Sequence, residues 1–390
     1  MIRRYRPVFT ACMAALMLSA PPLAAFDTQA EAAFVLDEKT GTVLLAKNAD
    51  TAMPPASMSK LMTLYIAFEA VRDGRLQLDE RLPVSAHANS FGGSTLFLRE
   101  GERVSVEDLI RGIIVLSGND ACVVLAEALS PDGSEAGFAR MMTQRAQLMG
   151  MTNSTFKNSS GWPADGHVMS MRDLTLLAQR IIEDFPEFYP MFAETEFLFD
   201  EQESQNRYNR NPLLGLGIGA DGLKTGHTQE AGYGLVGSAK QGDRRVIFTL
   251  TGLDTAAGRA QESEAIVNWA FRQFAEQTVT KAGAVIAEAD VWMGASDRVG
   301  LAAKDDVTLL LPNTPGSAVT AEVVYTGPIE APIAQGRQLA ELIISPEGLP
   351  EHRIPLFAAS EVPASGFVER MMNVSQVLLG RMQAPSEDAM

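Results

Sequence analysis

The stretch "SMSKLMTLYIAFEAVRDG", residues 57–74, sets the strongest constraint on the fold. It reads as a helix that is apolar on almost every side. No face of such a helix can be left to water, so it belongs at the centre and the chain must wrap around it. Lys60 follows Ser57 by three residues, which puts both on one helix face. Pro54 and Pro55 break the chain just before them. Ser57 therefore falls at the helix N-terminus, where the partial positive charge favours an alkoxide. A lysine serves as a base only if it is neutral part of the time, and burial or a nearby cation lowers its pKa. Taken alone, S-x-x-K is read more readily as a serine N-cap, a common device, followed by a lysine that snorkels to water.

The surrounding pattern is mixed. "AAFVLDEKTGTVLLAKNA" is two short apolar runs about "EKTG", a hairpin. "SVEDLIRGIIVLSGNDACVVLAEAL" reads as two helical runs broken at "SGN". "SEAGFARMMTQRAQLMG" is an amphipathic helix stopped by Gly150. "SMRDLTLLAQRIIEDFP" is another, with Ser170 as N-cap and Pro186 beyond its end. "GYGLVGSAKQGDRRVIFTLTGL" is two strands about "KQGD", and "AQESEAIVNWAFRQFAEQ" is a further helix. Strands bracketing a helical middle predict one antiparallel sheet covered by helices, an α+β arrangement. From about Thr278 the runs become short, alternating and punctuated by Gly, Pro, Asp and Asn, which predicts a small all-β domain. After Pro363, Phe367, Met371, Val374 and Leu378 form the stripe of a short amphipathic helix.

The first 25 residues read as an export leader: "MIRRYRP" is basic, "VFTACMAALMLSA" apolar, "PPLAA" small. Cleavage is expected after Ala25. The apolar run is too short for a comfortable membrane span, a retained anchor being the alternative. Losing Arg3, Arg4 and Arg6 takes the net charge from −16 to −19, with 29 basic against 48 acidic residues. That surplus of acid excludes a nucleic-acid footprint. Cys12 leaves with the leader, so Cys122 has no intramolecular disulfide partner. The expected divisions are a leader (1–25), a catalytic domain (26–277), a small β-rich domain (278–365) and a C-terminal helix and tail (366–390).

Two further stretches bear on Ser57 and Lys60. "LSGND" places Ser117 and Asn119 at a break between helices, where a hydroxyl and an amide can point into a cleft. "DGLKTGHT" places Lys224, Thr225, Gly226 and His227 on an expected strand. There a glycine lets a ligand approach the backbone, and the lysine and threonine can hold a carboxylate. Each motif is weak alone; K-T-G recurs at residues 39–41, where it reads as a turn. Together, S-x-x-K, S-x-N 60 residues on and K-T-G 107 residues beyond that form the set shared by class A β-lactamases and penicillin-binding proteins.

"PASMSKLMT", "SGNDA" and "DGLKTGHTQEAGYGLV" resemble the serine D-alanyl-D-alanine carboxypeptidases, the low-molecular-mass penicillin-binding proteins. "FVLDEKTGTVLLAKNAD", "STLFLREGERVSVEDLIRGIIVLSGND", "MTNSTFKNSSGW", "YNRNPLL" and the β-rich segment extend the likeness over most of residues 30–363. The resemblance implies a β-lactamase/transpeptidase-like domain followed by the all-β domain. It implies that Ser57 attacks the carbonyl between two D-alanines and that Lys60 accepts its proton. Ser117 would relay a proton to the leaving nitrogen, and Asn119 would orient the substrate amide and Lys60. Lys224 and Thr225 would bind the terminal carboxylate, Lys224 also lowering the pKa of Lys60. The N–H groups of Ser57 and His227 would form the oxyanion hole. Arg210 matches an arginine near the substrate carboxylate, and Ser94 is expected to line the cleft. Peptidoglycan stem peptides and β-lactams are the implied ligands, the periplasm the implied location. In that family a terminal amphipathic helix often rests on the outer face of the inner membrane, but here it has only Arg370 and Arg381 for basic attraction.

Other readings are weaker. A class A β-lactamase needs a deacylating glutamate, and no E-x-x-x-N lies between "SGND" and "KTG". D,D-endopeptidase action on cross-links is a close variant. A non-catalytic cell-wall peptide binder would not need the intact set. His87, His167 and His352 show no metal spacing, and no cofactor is expected.

Overall fold

The computed structural model describes residues 26–201, 205–313 and 319–366. The expected leader and the terminal helix from Phe367 onward lie outside them. The chain divides into two units, Phe26–Arg272 and one from Gln273 onward.

The first unit contains strands β1 (Ala32–Asp37), β2 (Thr42–Lys47), β3 (Arg81–Pro83), β4 (Arg103–Ser105), β5 (Ala220–Thr228), β6 (Gly232–Gln241) and β7 (Arg244–Leu253). Five of them form an antiparallel sheet in the order β2-β1-β7-β6-β5, and β3 pairs with β4. Both hairpins expected from alternation are present. The N-terminal one joins the C-terminal one directly, with Phe34 opposite Thr249. This leaves β5, the K-T-G strand, as an edge with one side unpaired.

The helices are α1 (Lys60–Arg72), α2 (Ala86–Asn89), α3 (Val106–Arg111), α4 (Asn119–Leu129), α5 (Glu135–Leu148), α6 (Met171–Asp184) and α7 (Ala256–Gln273). Helix α1 lies against α4, α5 and α6. It buries every residue from Lys60 to Phe68, and Ala70. Side chains such as Leu61, Leu64, Ile66 and Phe68 each contribute about 1.5–3 kcal/mol on burial, which offsets the cost of enclosing the Lys60 amine. Ser170 caps α6 by accepting the Asp173 N–H at 3.1 Å. That helix lies on the sheet, where Thr175 and Thr249 share a 2.8 Å hydroxyl bond. From β7, Arg244 donates to Asp37 at 2.5 Å and to the Ala270 carbonyl of α7 at 2.8 Å. Among the described residues no helix is long and apolar enough to cross a membrane.

The second unit is built of strands: β8 (Phe274–Thr280), β9 (Val285–Trp292), β10 (Arg298–Ala302), β11 (Val307–Pro312), β12 (Val319–Tyr325), β13 (Ile329–Glu330), β14 (Gln338–Pro346) and β15 (His352–Ala358). Six form a sheet in the order β12-β14-β15-β10-β9-β13, and β11 pairs with β8. Leu301, Leu342, Ile344 and Leu356 lie in its separate core. One local reading changes. Residues 274–277, taken with the preceding helix on their pattern, open β8, because Phe274 and Ala275 pair with Pro312 and Leu311.

Candidate active site

Ser57 lies in a 3₁₀ turn, Ala56–Ser59, that leads into α1. Ala56 enters it at φ 49°, a left-handed value that costs an L-residue roughly 1 kcal/mol or more. Neither turn nor helix carries a side-chain cap here, so the capping explanation of Ser57 fails. Its hydroxyl instead accepts from Lys60 Nζ at 2.7 Å.

Lys60 Nζ also donates to the Ser160 carbonyl at 2.6 Å. That carbonyl belongs to a loop wound about Asn158, whose Oδ1 accepts the N–H of Gly161 at 2.8 Å. Gly161 has φ 77°, and a Cβ there would fall 1.9 Å from the Ala56 carbonyl oxygen. Only glycine lets this loop close on the turn that carries Ser57. Lys60 is fully buried, and burial pulls its pKa down to about 8, with the Arg210 charge acting the same way. Lys224 was the cation expected to do this. It is itself driven well below its ordinary value, by burial first and by Lys60 second.

Ser117 gains its position from a break in the helix. After α3 the chain makes a π-helical turn, Gly112–Leu116, and Ser117 then adopts φ 64°, ψ 34° before α4 begins. This turns its side chain toward the sheet edge, where Lys224 Nζ donates to its Oγ at 3.0 Å. Asn119 differs from expectation. Among the described residues its amide donates to the Gly92 carbonyl at 2.8 Å and its N–H to the Ser94 carbonyl at 2.7 Å; no bond joins it to Lys60. It therefore fixes the segment that carries Ser94. Asp120 adds to this by accepting the Leu96 and Leu98 N–H groups at 2.9 Å and 3.1 Å.

Arg210 donates to Ser94 Oγ at 2.6 Å and to the Leu116 carbonyl at 2.9 Å. Ser57, Ser94, Ser117, Arg210, Thr225, Gly226 and His227 line one cleft of about 350 Å³, with Tyr233, Ala256 and Arg259. The lining holds two arginines and no carboxylate. Gly226 is needed for a different reason than expected: a Cβ there would lie 3.0 Å from the Pro55 carbonyl oxygen and from Met58. The neighbour it admits is the Ser57 turn itself.

Four contributors escaped the sequence reading. Tyr233 stacks on His227 at 3.8 Å, and the β5–β6 register, which sets the two opposite, was the signal for it. Arg259 comes from α7, and nothing local announces it. The Ser160 carbonyl is a backbone group, and Asp120 looks like ordinary helix-start acidity.

The D-alanyl-D-alanine carboxypeptidase family, Peptidase_S11, matches residues 17–255, and the penicillin-binding protein 5 C-terminal domain matches residues 274–364. The chain is 33% identical over 357 residues to the D-alanyl-D-alanine carboxypeptidase DacA of Escherichia coli, covering 90% of this chain and 87% of that one. It resembles the crystal structure of the D-alanyl-D-alanine carboxypeptidase DacD from Francisella tularensis with TM-score 0.77 and 28% identity, over 92% of this chain and all of that one. It also resembles Penicillin-Binding Protein D2 from Listeria monocytogenes in the ampicillin-bound form, with TM-score 0.56 and 35% identity, over 62% of this chain and 97% of that one. The expected transpeptidase-like α+β fold with an appended all-β domain is borne out, and the chain belongs to the Peptidase_S11 family of D-alanyl-D-alanine carboxypeptidases.

Proposed function

We propose that the protein is a serine D,D-carboxypeptidase that removes the terminal D-alanine from peptidoglycan stem peptides through an acyl-enzyme on Ser57. One observation carries this reading. Ser57 sits 2.7 Å from a buried lysine whose pKa is about 8, at a cleft lined by two arginines and no carboxylate. Neutral Lys60 takes the Ser57 proton while still donating to the Ser160 carbonyl, and Ser57 Oγ attacks the carbonyl between the D-alanines. The N–H groups of Ser57 and of His227 receive the developing oxyanion. Arg210 and Thr225 hold the terminal carboxylate, with Lys224 buried beneath. Ser117, bonded to Lys224, passes a proton to the departing D-alanine nitrogen. Water then releases the shortened peptide from Ser57. Asn119 and Ser94 shape the cleft wall. β-Lactams, which present a carboxylate beside a reactive carbonyl, acylate the same serine; the ampicillin-bound form of the Listeria protein supports this.

Residues 26–390 should release D-alanine from a peptide ending in D-Ala-D-Ala, and Ser57→Ala should release none. Release by both proteins would remove Ser57 from the reaction. Rapid turnover of a chromogenic cephalosporin with no D-alanine release would replace the reading by a β-lactamase.

The leader-like residues 1–25 and the cell-wall substrate support export to the periplasm. The stripe Phe367, Met371, Val374 and Leu378 supports peripheral contact with the inner membrane. Anionic liposomes should pellet residues 26–390 and leave residues 26–365 in the supernatant. Equal behaviour of the two would end the anchor proposal.

A further inference from the structure

Glu135 is not among the residues lining the cleft, yet its carboxylate bears on Lys60. It opens α5 directly after Ser134, which already caps that helix by accepting the Gly137 N–H at 3.0 Å. The Glu135 side chain is therefore free to turn away from its own helix. Its Oε1 accepts both the N–H and the Oγ–H of Ser159, at 3.0 Å and 2.6 Å. Its Oε2 meets His87 Nε2 of α2 at 3.1 Å. The side chain keeps only 11% of its surface exposed. A carboxylate enclosed to that degree needs such donors, and the start of a helix adds partial positive charge.

Ser159 is fully buried and stands directly before Ser160, whose carbonyl accepts from Lys60 Nζ at 2.6 Å. The Ser159 carbonyl accepts from Thr63 Oγ1 at 2.6 Å. Thr63 and Lys60 are three residues apart on α1 and share a face, so α1 holds two consecutive carbonyls of this segment. Glu135 holds the Ser159 N–H and hydroxyl. Asn158 Oδ1, accepting the Ser160 N–H at 3.2 Å, sets the turn between them. Without Glu135 the Ser159 N–H loses its one acceptor among the described residues. The peptide that follows can then rotate and carry the Ser160 carbonyl off Lys60.

We propose that Glu135 is a positioning residue for the acylation step: by clamping Ser159 it aims the Ser160 carbonyl at Lys60 and keeps the amine turned toward Ser57. This rests on the reading of Ser57 and Lys60 as nucleophile and base. Release of the clamp has two effects of opposite sign. The amine leaves its line with Ser57 Oγ, which slows proton transfer. Its ammonium form also loses an acceptor, which lowers the Lys60 pKa further. The ionisable groups around Lys60 include Cys122 and Asp120 of α4, Arg210, Lys224 of β5 and His167, and a change at position 135 leaves each of them in place. His87 bonds the outer oxygen of Glu135, not the one that holds Ser159.

The test follows the rate of labelling by a fluorescent penicillin between about pH 6 and about pH 9, using residues 26–390. In the wild type the rate levels off above the Lys60 pKa of about 8. In Glu135→Ala the plateau should be about tenfold lower, the equivalent of one lost hydrogen bond, and the midpoint about one pH unit lower. The two rates should therefore differ about tenfold at about pH 9 and converge at about pH 6, where the variant holds about ten times more neutral amine. Glu135→Gln, which keeps an oxygen for the Ser159 donors, should follow the wild type within about twofold. A defect of the same factor at every pH, as partial unfolding would give, overturns the positioning role. So does an unchanged profile in Glu135→Ala, or an equal defect in Glu135→Gln. Wild-type protein that takes no label at any pH overturns the Ser57 acyl-enzyme reading, and this role with it.

Discussion

Replacing Lys60 with methionine is expected to stop acylation of Ser57 while making the protein more stable at neutral pH. The kinetic half follows from the loss of Lys60, the one base bonded to Ser57 Oγ among the described residues, worth about 10²–10⁴-fold. The stability half follows from linkage. The Lys60 pKa falls from 10.5 to about 8 in the folded protein. Between those values the unfolded chain binds more protons, so stability rises with pH from about 8 to 10.5; below about 8 the whole penalty is present. At pH 7 it amounts to about 3 kcal/mol. Methionine removes that penalty in nearly the same volume but leaves the Ser160 carbonyl without its donor, which costs about 1–2 kcal/mol. The net gain should be a rise in Tm of a few degrees, read by calorimetry beside labelling with a fluorescent penicillin. In the wild type the acylation rate should climb about tenfold per pH unit below pH 8 and level off above it. Lys60→Arg should lose acylation without the gain, since arginine cannot shed its proton. Retained labelling in either variant would remove Lys60 from the chemistry, and a Tm below wild type in Lys60→Met would contradict the stored penalty.

Gly161→Ala should be the most damaging single methyl group in the first unit. The new Cβ would meet the Ala56 carbonyl oxygen at 1.9 Å, backbone against backbone, with no flexible side chain to give way. The residue also keeps φ 77°. Overpacking of this kind costs about 3 kcal/mol or more, a fall in Tm of about 10 °C. The loop can relieve it only by lifting the Ser160 carbonyl off Lys60, so labelling of Ser57 should slow as well. Gly150→Ala separates clash from conformation, because Gly150 has φ 86° but nothing within 4 Å of its Cβ. It should cost only about 1 kcal/mol. Equal losses in the two variants would mean that the loop does not press on the Ser57 turn.

Much of this was legible before the fold. The two hairpins, the all-round apolar α1, the Ser170 cap and the break at "SGN" are local patterns, set by periodicity and by turn and cap chemistry. The motif spacing brought Ser57, Lys60, Ser117 and Lys224 to one place. What stayed hidden was relational. Nothing near Arg259 says that α7 returns it to the cleft. The Ser160 carbonyl has no side-chain signature. Asn119 looked like a partner for Lys60 until the Gly92 carbonyl took its amide. The left-handed Ser117 follows a π-helical turn, and such turns have no reliable sequence mark. The end of α7 was misplaced because "FAEQ" suits a helix and loses to pairing with β11.

The unpaired side of β5 carries one more consequence. A free sheet edge normally invites further strands and, through them, aggregation. Here the Arg210 charge and Lys224, midway along the strand, favour a seated chain that ends there in a carboxylate, which makes the spot a terminus rather than a continuation. A strand that seats there must end there with its own negative charge, so a passing chain segment finds no register to extend. The device that makes the enzyme an exopeptidase thus also keeps the edge from acting as a template for polymerisation.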